Sequence, residues 1–347
     1  MSKLLKSAIA KIPGAKAGSM PRSIEPMKAV LVDEPFSKDG WIFEDKYDGI
    51  RTIAYIKDGT TKLFSRNNKE MTIRYPELKK LEEWVDAKEA ILDGEIIVLN
   101  KHGSASFQEL ASRFGLKNLA EITRLSKSQK IVLYVFDLLY LDGFNLMRAE
   151  LLDRNATLKR IIHPRAVFKL APHNVKDGVK RFRTAEKKKL EGIMAKNASS
   201  VYEQKRSSQW LKIKTSMRQE AIICGYTKPR GNREYFGALQ LGLYDGSKLV
   251  SVGKVGTGFD RKRLKEIYDA MQPFKTDDQP FSGEPRKSRW GRGNEEVQWL
   301  KPKLVCEVKF TERTSEGRFR HPVFEGLRFD KKPKEVTFEK AVSVKKK

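Results

Sequence analysis

The sequence predicts an α+β protein of two domains, the first of antiparallel sheets and helices, the second a small β-barrel. Three observations predict it. The chain of 347 residues is long enough for two separate cores. Long apolar strand patterns alternate with helical ones as far as Met217. Beyond Met217 the strands become short and are separated by Gly, Asn and Asp turns, with a single helix among them.

The elements follow in order. Residues 1–24 hold five basic residues and no acidic one and read as a mobile basic arm. From Trp41 the pattern is strand-like, through WIFEDKYDGI, RTIAYIKDG and TKLFSR, with Asp58-Gly59 as the turn signal. Tyr75 to Trp84 reads as a helix that starts near a proline. Ala90–Leu99 and Ile131–Tyr140 read as buried strands, because each is an apolar run of strand length. Helices are expected over 104–114, 118–127, 146–162 and 179–190, the last strongly basic. Strands follow at 220–227, 237–243, 248–255 and 304–310, with a helix at 260–271. One helix among short strands is the pattern of a small barrel such as an OB-fold. The expected organisation is therefore an arm at 1–24, a first domain at 25–218 and a barrel domain at 219–347.

Charge narrows the function. Lys plus Arg number 70 against 44 Asp plus Glu, a formal +26. Such a surplus favours a polyanionic partner, because each neutralised phosphate releases condensed counterions. No apolar run is long enough to span a bilayer and no basic amphipathic helix dominates, so a membrane is not the expected partner. The N-terminus has no continuous apolar core of a secretory signal. The two cysteines, Cys224 and Cys306, fit neither a zinc ribbon nor a disulfide framework, and a reducing cytoplasm is expected. The four histidines form no metal-binding pair. The glycines of Ser251–Phe259 lack the spacing of a P-loop and read as a tight barrel turn.

Candidate chemistry begins at Lys46-Tyr47-Asp48-Gly49-Ile50-Arg51. A lone K-x-D-G is equally an ordinary turn. Glu44, two residues earlier, shares a strand face with Lys46, and Arg51 follows the turn. Asp93-Gly94-Glu95 places carboxylates inside an apolar strand, where acids are costly unless paired or metal-bound. Glu191 opens EGIMAKN, with Lys196 at its end. In Trp210–Lys214 alternation puts Lys212 and Lys214 on one face and Leu211 and Ile213 on the other.

The order of these elements is more specific than any one of them. Lys46–Arg51, Ser65-Arg66-Asn67, Asp93-Gly94-Glu95, Tyr134–Asp137, Glu191–Met194 and Lys212-Ile213-Lys214 succeed one another at intervals that resemble the nucleotidyltransferase motifs of ATP-dependent DNA ligases. Arg328-Phe329-Asp330-Lys331 resembles the family's last motif, carried by its OB domain. The segment from Val305 to Lys331 is similar to compact bacterial and phage ligases of the end-joining type. The resemblance covers about residues 25–332.

The resemblance implies a nucleotidyltransferase domain followed by an OB-fold, and it assigns roles. Lys46 is the nucleophile toward the α-phosphate of ATP, carrying AMP as a phosphoramidate. Arginine would stay protonated in that role, whereas lysine beside cations such as Lys212 and Lys214 can lose its proton. Glu95 and Glu191 are the expected acids for Mg²⁺ or Mn²⁺, with phosphate oxygens completing the coordination. Phe136 stacks on adenine, being placed at the end of a buried strand, unless it is core packing. Arg51 and Arg66 hold ribose or phosphate, and Glu44 contacts the base through its backbone. Arg328, Asp330 and Lys331 act in the first step, when the OB domain closes. Arg286, Lys287, Arg289 and Arg292 make the 277–296 stretch a candidate DNA-contacting loop, or else a solvated insertion. The short stretch before Lys46 leaves no room for a nicotinamide-capturing domain, so ATP and not NAD is the expected donor. The expected protein is a monomer in a bacterial or phage-infected cytoplasm, with nicked duplex DNA as substrate. The rivals are an RNA ligase or mRNA-capping guanylyltransferase, and a non-catalytic OB protein that binds nucleic acid.

Overall fold

The computed structural model describes residues 3–100, 105–114, 116, 118–282, 296–339 and 341–343. The chain forms two compact units, Met1–Thr215 together with Ala341–Lys347, and Ser216–Lys340.

The first unit contains two sheets. A seven-stranded sheet runs in the order Lys16–Ala17, Phe144–Asn145, Lys130–Leu141, Ala90–Leu99, Ile50–Lys57, Thr60–Ser65, with Phe168–Leu170 added parallel to Lys130–Leu141. A five-stranded sheet runs His173–Val175, Trp41–Asp45, Gly192–Asn197, Arg206–Lys214, Lys28–Val32. Strand periodicity explains how they stack. Phe43, Ile193, Ala195, Leu211 and Ile213 point to one side of the five-stranded sheet, where they pack with Ala185, Phe182 and Leu190 in and just beyond the helix Gly178–Lys187. Ile42 and Trp210 point to the other side and join Ile53, Ile91, Phe136, Leu139 and Tyr140 of the seven-stranded sheet. The order of layers is therefore helix, sheet, sheet. The helix Leu151–Ile161 sends Leu151 into that same inter-sheet cluster and is anchored by Arg154, which donates to both oxygens of Asp137 at 2.7 and 2.8 Å; neither side chain is exposed.

Two expectations are corrected here. The segment read as a mobile arm is docked. Lys3–Ala10 is helical with Ile9 buried, Lys16–Ala17 extends the sheet beside Phe144–Asn145, and the Gly18 amide donates to Gly143 O at 2.8 Å. Its sequence is basic and broken by glycine and proline, so the edge strand that receives it is what orders it. Tyr75–Trp84 is not an α-helix but successive 3₁₀ turns, Pro76–Leu78 and Leu81–Trp84, preceded by Thr72–Arg74. Leu78 and Leu81 are both buried, and their spacing of three suits the tighter turn. Asp58 and Gly59 do close a hairpin, with φ of 51° and 68°, the pair of positive values a two-residue turn of this kind requires.

The second unit is an OB-fold half-barrel. Its six-stranded sheet runs Lys248–Val255, Leu239–Asp245, Arg218–Thr227, Val297–Lys309, Lys275–Thr276, with Val323–Leu327 also on Val297–Lys309. Leu264, Ile267 and Met271 seat the helix Arg261–Met271 on this core, and Asp260 caps it by accepting from the Arg263 amide at 2.8 Å. No helix among the described residues is long and apolar enough to cross a membrane.

The docked segment generates a prediction. Gly14 has φ +83°, and an added Cβ would fall 2.1 Å from the Arg148 carbonyl oxygen. Gly14→Ala carries a left-handed penalty of about 1–2 kcal/mol before any clash is counted. Limited proteolysis should therefore cleave the segment before residue 24 faster in the variant. Equal cleavage rates would contradict the docking.

Candidate active site

Two sheets supply the two walls of the site. On the five-stranded sheet, Lys46 follows directly on the strand Trp41–Asp45. Its amide donates to Gly192 O at 2.9 Å, which carries the pairing with Gly192–Asn197 one residue further and brings Glu191 alongside. The Lys46 Nζ lies 2.5 Å from Glu191 Oε2, with both side chains largely covered. Gly192 permits this closeness: its φ is +153°, and a Cβ there would sit 2.0 Å from Ile213 O. Directly paired residues on antiparallel strands share a face. The register Glu44–Met194–Lys212 and Gly192–Lys214 therefore puts both lysines on the face of Glu44.

The seven-stranded sheet aligns Arg51, Glu95 and Tyr134 across three strands. The Arg51 guanidinium donates to both oxygens of Asp93, at 2.5 and 2.6 Å, and the Tyr202 hydroxyl donates to the same carboxylate at 2.6 Å. The Met27 amide donates in turn to the Tyr202 oxygen at 3.0 Å. Asp93 is wholly buried and has both oxygens engaged, so it anchors Arg51, while Glu95 stands beside it as the partly exposed acid. Burial alone would weaken the charge of Arg51; Asp93 outweighs it and holds the guanidinium pKa above its ordinary value.

Phe136 is not at a strand end. It is the extra residue of a β-bulge within Lys130–Leu141: Asp93 pairs with Asp137 and Gly94 with Val135, leaving Phe136 unopposed. Bulges re-aim side chains. This one sets the Phe136 ring beneath two cations, with Arg51 Cζ at 4.7 Å and Lys196 Nζ at 4.1 Å from the ring centroid. The ring is 8% exposed and edge-on to Trp210. Nearby, Tyr47 stacks on Tyr134 at 4.3 Å, and burial raises the hydroxyl pKa of both.

Lys196 and Glu44 form a pair that the sequence reading did not single out. Lys196 Nζ lies 2.7 Å from Glu44 Oε2, both are buried, and the ammonium also sits 4.3 Å over Trp210. A signal existed. Lys196 is on the same strand parity as Gly192 and Met194, opposite to the apolar Ile193 and Ala195, and so had to face the site.

The remaining expected residues fall as follows. Arg66 tops a turn closed by the Asn68 amide on Ser65 O at 2.8 Å, and its Nε is buried with no hydrogen-bond partner among the described residues. In the second unit, Arg328 donates to both oxygens of Asp330, at 2.9 and 2.8 Å, and Lys331 pairs with Glu220 at 2.7 Å. Burial would raise the Asp330 pKa; Arg328 offsets this and holds it below the usual value. Asp330 is thus a holder of Arg328. Arg286, Lys287, Arg289 and Arg292 lie outside the described residues. Among the described residues no three acidic or soft side chains form a metal cluster. Glu95 and Glu191 are hard oxygen donors, too few to hold an ion alone and sufficient with phosphate oxygens, which fits magnesium better than a soft metal.

Comparison with known proteins agrees over both units. Residues 26–214 match the family model of the ATP dependent DNA ligase domain, and residues 232–331 that of the ATP dependent DNA ligase C terminal region. The multifunctional non-homologous end joining protein LigD of Pseudomonas aeruginosa is 35% identical over 326 residues, which cover 92% of this chain and 37% of the relative. LigD of Mycolicibacterium smegmatis is 36% identical over 302 residues, 86% of this chain and 37% of the relative. The chain thus spans little more than a third of these relatives. Among solved structures, a mycobacterial DNA ligase D complexed with ATP and MES superposes with a TM-score of 0.62 at 30% identity, covering 90% of this chain and 97% of that one.

The buried pair yields a prediction. Glu44→Gln should destabilise the first unit by about 3–5 kcal/mol, because it strands a buried ammonium. Adding Lys196→Met should restore most of the loss in a double-mutant cycle followed by denaturant unfolding. Additive losses would contradict the pairing.

Proposed function

Because this chain belongs to the ATP-dependent DNA ligase family, as its match over residues 26–214 requires, we propose that it seals 3′-hydroxyl/5′-phosphate nicks in duplex DNA by way of AMP carried on Lys46. The observation that carries the reading is the Lys46–Glu191 contact at 2.5 Å, on a sheet face shared with Lys212 and Lys214.

A lysine attacks phosphorus only as the free amine. Glu191 holds Nζ in place before the nucleotide arrives, and attack begins when that contact opens and the proton leaves. Lys212 and Lys214 face the charge that grows on the α-phosphate oxygens. Glu44 and Lys196 present an acceptor and a donor side by side, with Lys196 over the Phe136 ring, a pattern that suits the amino group and a ring nitrogen of adenine. Arg51, held by Asp93 and Tyr202, offers a fixed cation to ribose or phosphate. Glu95 and Glu191 would hold Mg²⁺ together with the bound nucleotide, and the ion would supply charge neutralisation there. Lys331, with Arg328, neutralises the departing pyrophosphate in the first step.

AMP then passes from Lys46 to the 5′-phosphate, and the 3′-hydroxyl displaces it. All three steps are displacements at phosphorus, so positioning and charge carry the catalysis. The large basic surplus serves the duplex backbone, and DNA repair is the process in which the end-joining relatives place such an activity. An RNA-directed or purely binding protein is the less favoured reading, since both units match ligase models.

On an end-labelled nicked duplex, joining should require ATP and be abolished by Lys46→Ala with DNA binding retained. Joining that survives Lys46→Ala would overturn the proposal. Nick affinity should fall steeply with salt, by about a thousandfold or more between 50 and 200 mM if about six phosphates are contacted. An affinity indifferent to salt would contradict the role given to the charge.

A further inference from the structure

The strands Arg218–Thr227 and Val297–Lys309 of the OB unit place Glu220 directly opposite Glu307. Like charges facing each other across a sheet are destabilising. Here both carboxylates are spent on the cations of the Arg328–Lys331 run. Lys331 Nζ lies 2.7 Å from Glu220 Oε1, and Arg328 Nη1 donates to Glu307 Oε2 at 3.3 Å while its other edge is held by Asp330. The charge of Glu220 also acts on Arg328 and Asp330. The main chain fixes the same corner, through the Arg328 amide on Val305 O at 2.7 Å and the Lys331 amide on Arg328 O at 3.4 Å.

We infer that Glu220 is a positioning residue for Lys331, setting the ammonium in advance for the polyphosphate of ATP in the self-adenylation step. A free lysine side chain carries large rotamer entropy, and ordering it beforehand lowers the cost of ligand binding. Lys331 remains 13% exposed, so the ammonium, with three donors and one committed to Glu220, still has donors to offer. Glu307 and Asp330 do the same for Arg328 from two sides. The sheet tolerates the Glu220–Glu307 juxtaposition because each acid is paired with a cation, Glu220 with Lys331 and Glu307 with Arg328. The inference rests on the assignment of Lys331 to the first step.

The experiment uses the full chain and separates the steps. Adenylation is followed with α-labelled ATP, and the last step with a nick that is already adenylated at its 5′-phosphate. Glu220→Gln removes a charge and leaves the side-chain volume. It should slow adenylation at subsaturating ATP about tenfold or more, largely through KM, while sealing of the pre-adenylated nick and the Tm stay near wild type. Glu220→Asp should recover part of the loss. Proportional losses in both steps with a lowered Tm would reduce Glu220 to a structural role and overturn the inference, as would adenylation at or above the wild-type rate. Lys331→Ala separates the premise from the inference. Adenylation lost in Lys331→Ala but intact in Glu220→Gln overturns the inference alone; adenylation intact in Lys331→Ala overturns the first-step assignment as well.

Discussion

The register between Trp41–Asp45 and Gly192–Asn197 is the constraint on which the rest of the first unit depends. A strand displaced by one residue turns every side chain to the other face. Here that would carry Glu44 and Lys196 into the apolar layer under the helix Gly178–Lys187 and expose Phe43, Ile193 and Ala195. The apolar side therefore sets the charged side. Phe43, Ile193, Ala195, Leu211 and Ile213 make no contact with chemistry, yet their packing determines that Lys46 meets Glu191 and that Lys212 and Lys214 face the same space.

The opposing sheet works by a different device. It buries charges and satisfies each one: Asp93 by Arg51 and Tyr202, Asp137 by Arg154. Buried pairs are poor sources of net stability, because desolvation offsets the attraction, but breaking one is expensive. Such pairs therefore serve geometry. Arg51 cannot swing without leaving Asp93 unpaired, and the bulge at Phe136 places an aromatic face beneath it. In the OB unit the same logic recurs with the buried Glu307 and Asp330 around Arg328.

Much of this was legible from residue order alone. Alternation at Leu211–Lys214 separated wet from dry faces, and the apolar runs at Ala90–Leu99 and Ile131–Tyr140 announced the central strands. What escaped depended on partners distant in sequence. Lys196 reads as the end of a strand until Glu44, Phe136 and Trp210 are seen around it. Tyr202 carries no motif; its hydroxyl matters only because Asp93 and Met27 arrive from elsewhere. Asp93 and Glu95 look alike in Asp-Gly-Glu, and only the folded sheet distinguishes the wholly buried acid that anchors Arg51 from the partly exposed one. The bulge at Phe136 is a property of two strands together, and the docked segment around Gly14 is ordered by an edge strand that local composition does not reveal.

The central claim is that Lys46, held against Glu191, is the atom that takes AMP. The measurement that addresses it most directly is intact and peptide mass analysis of the chain after incubation with ATP and Mg²⁺, with a pyrophosphate-treated sample as reference. The account predicts one added adenylate, located on the peptide containing Lys46, removed by pyrophosphate and discharged on addition of nicked DNA. An adenylate on another residue, or none after pyrophosphate treatment and fresh ATP, would contradict it.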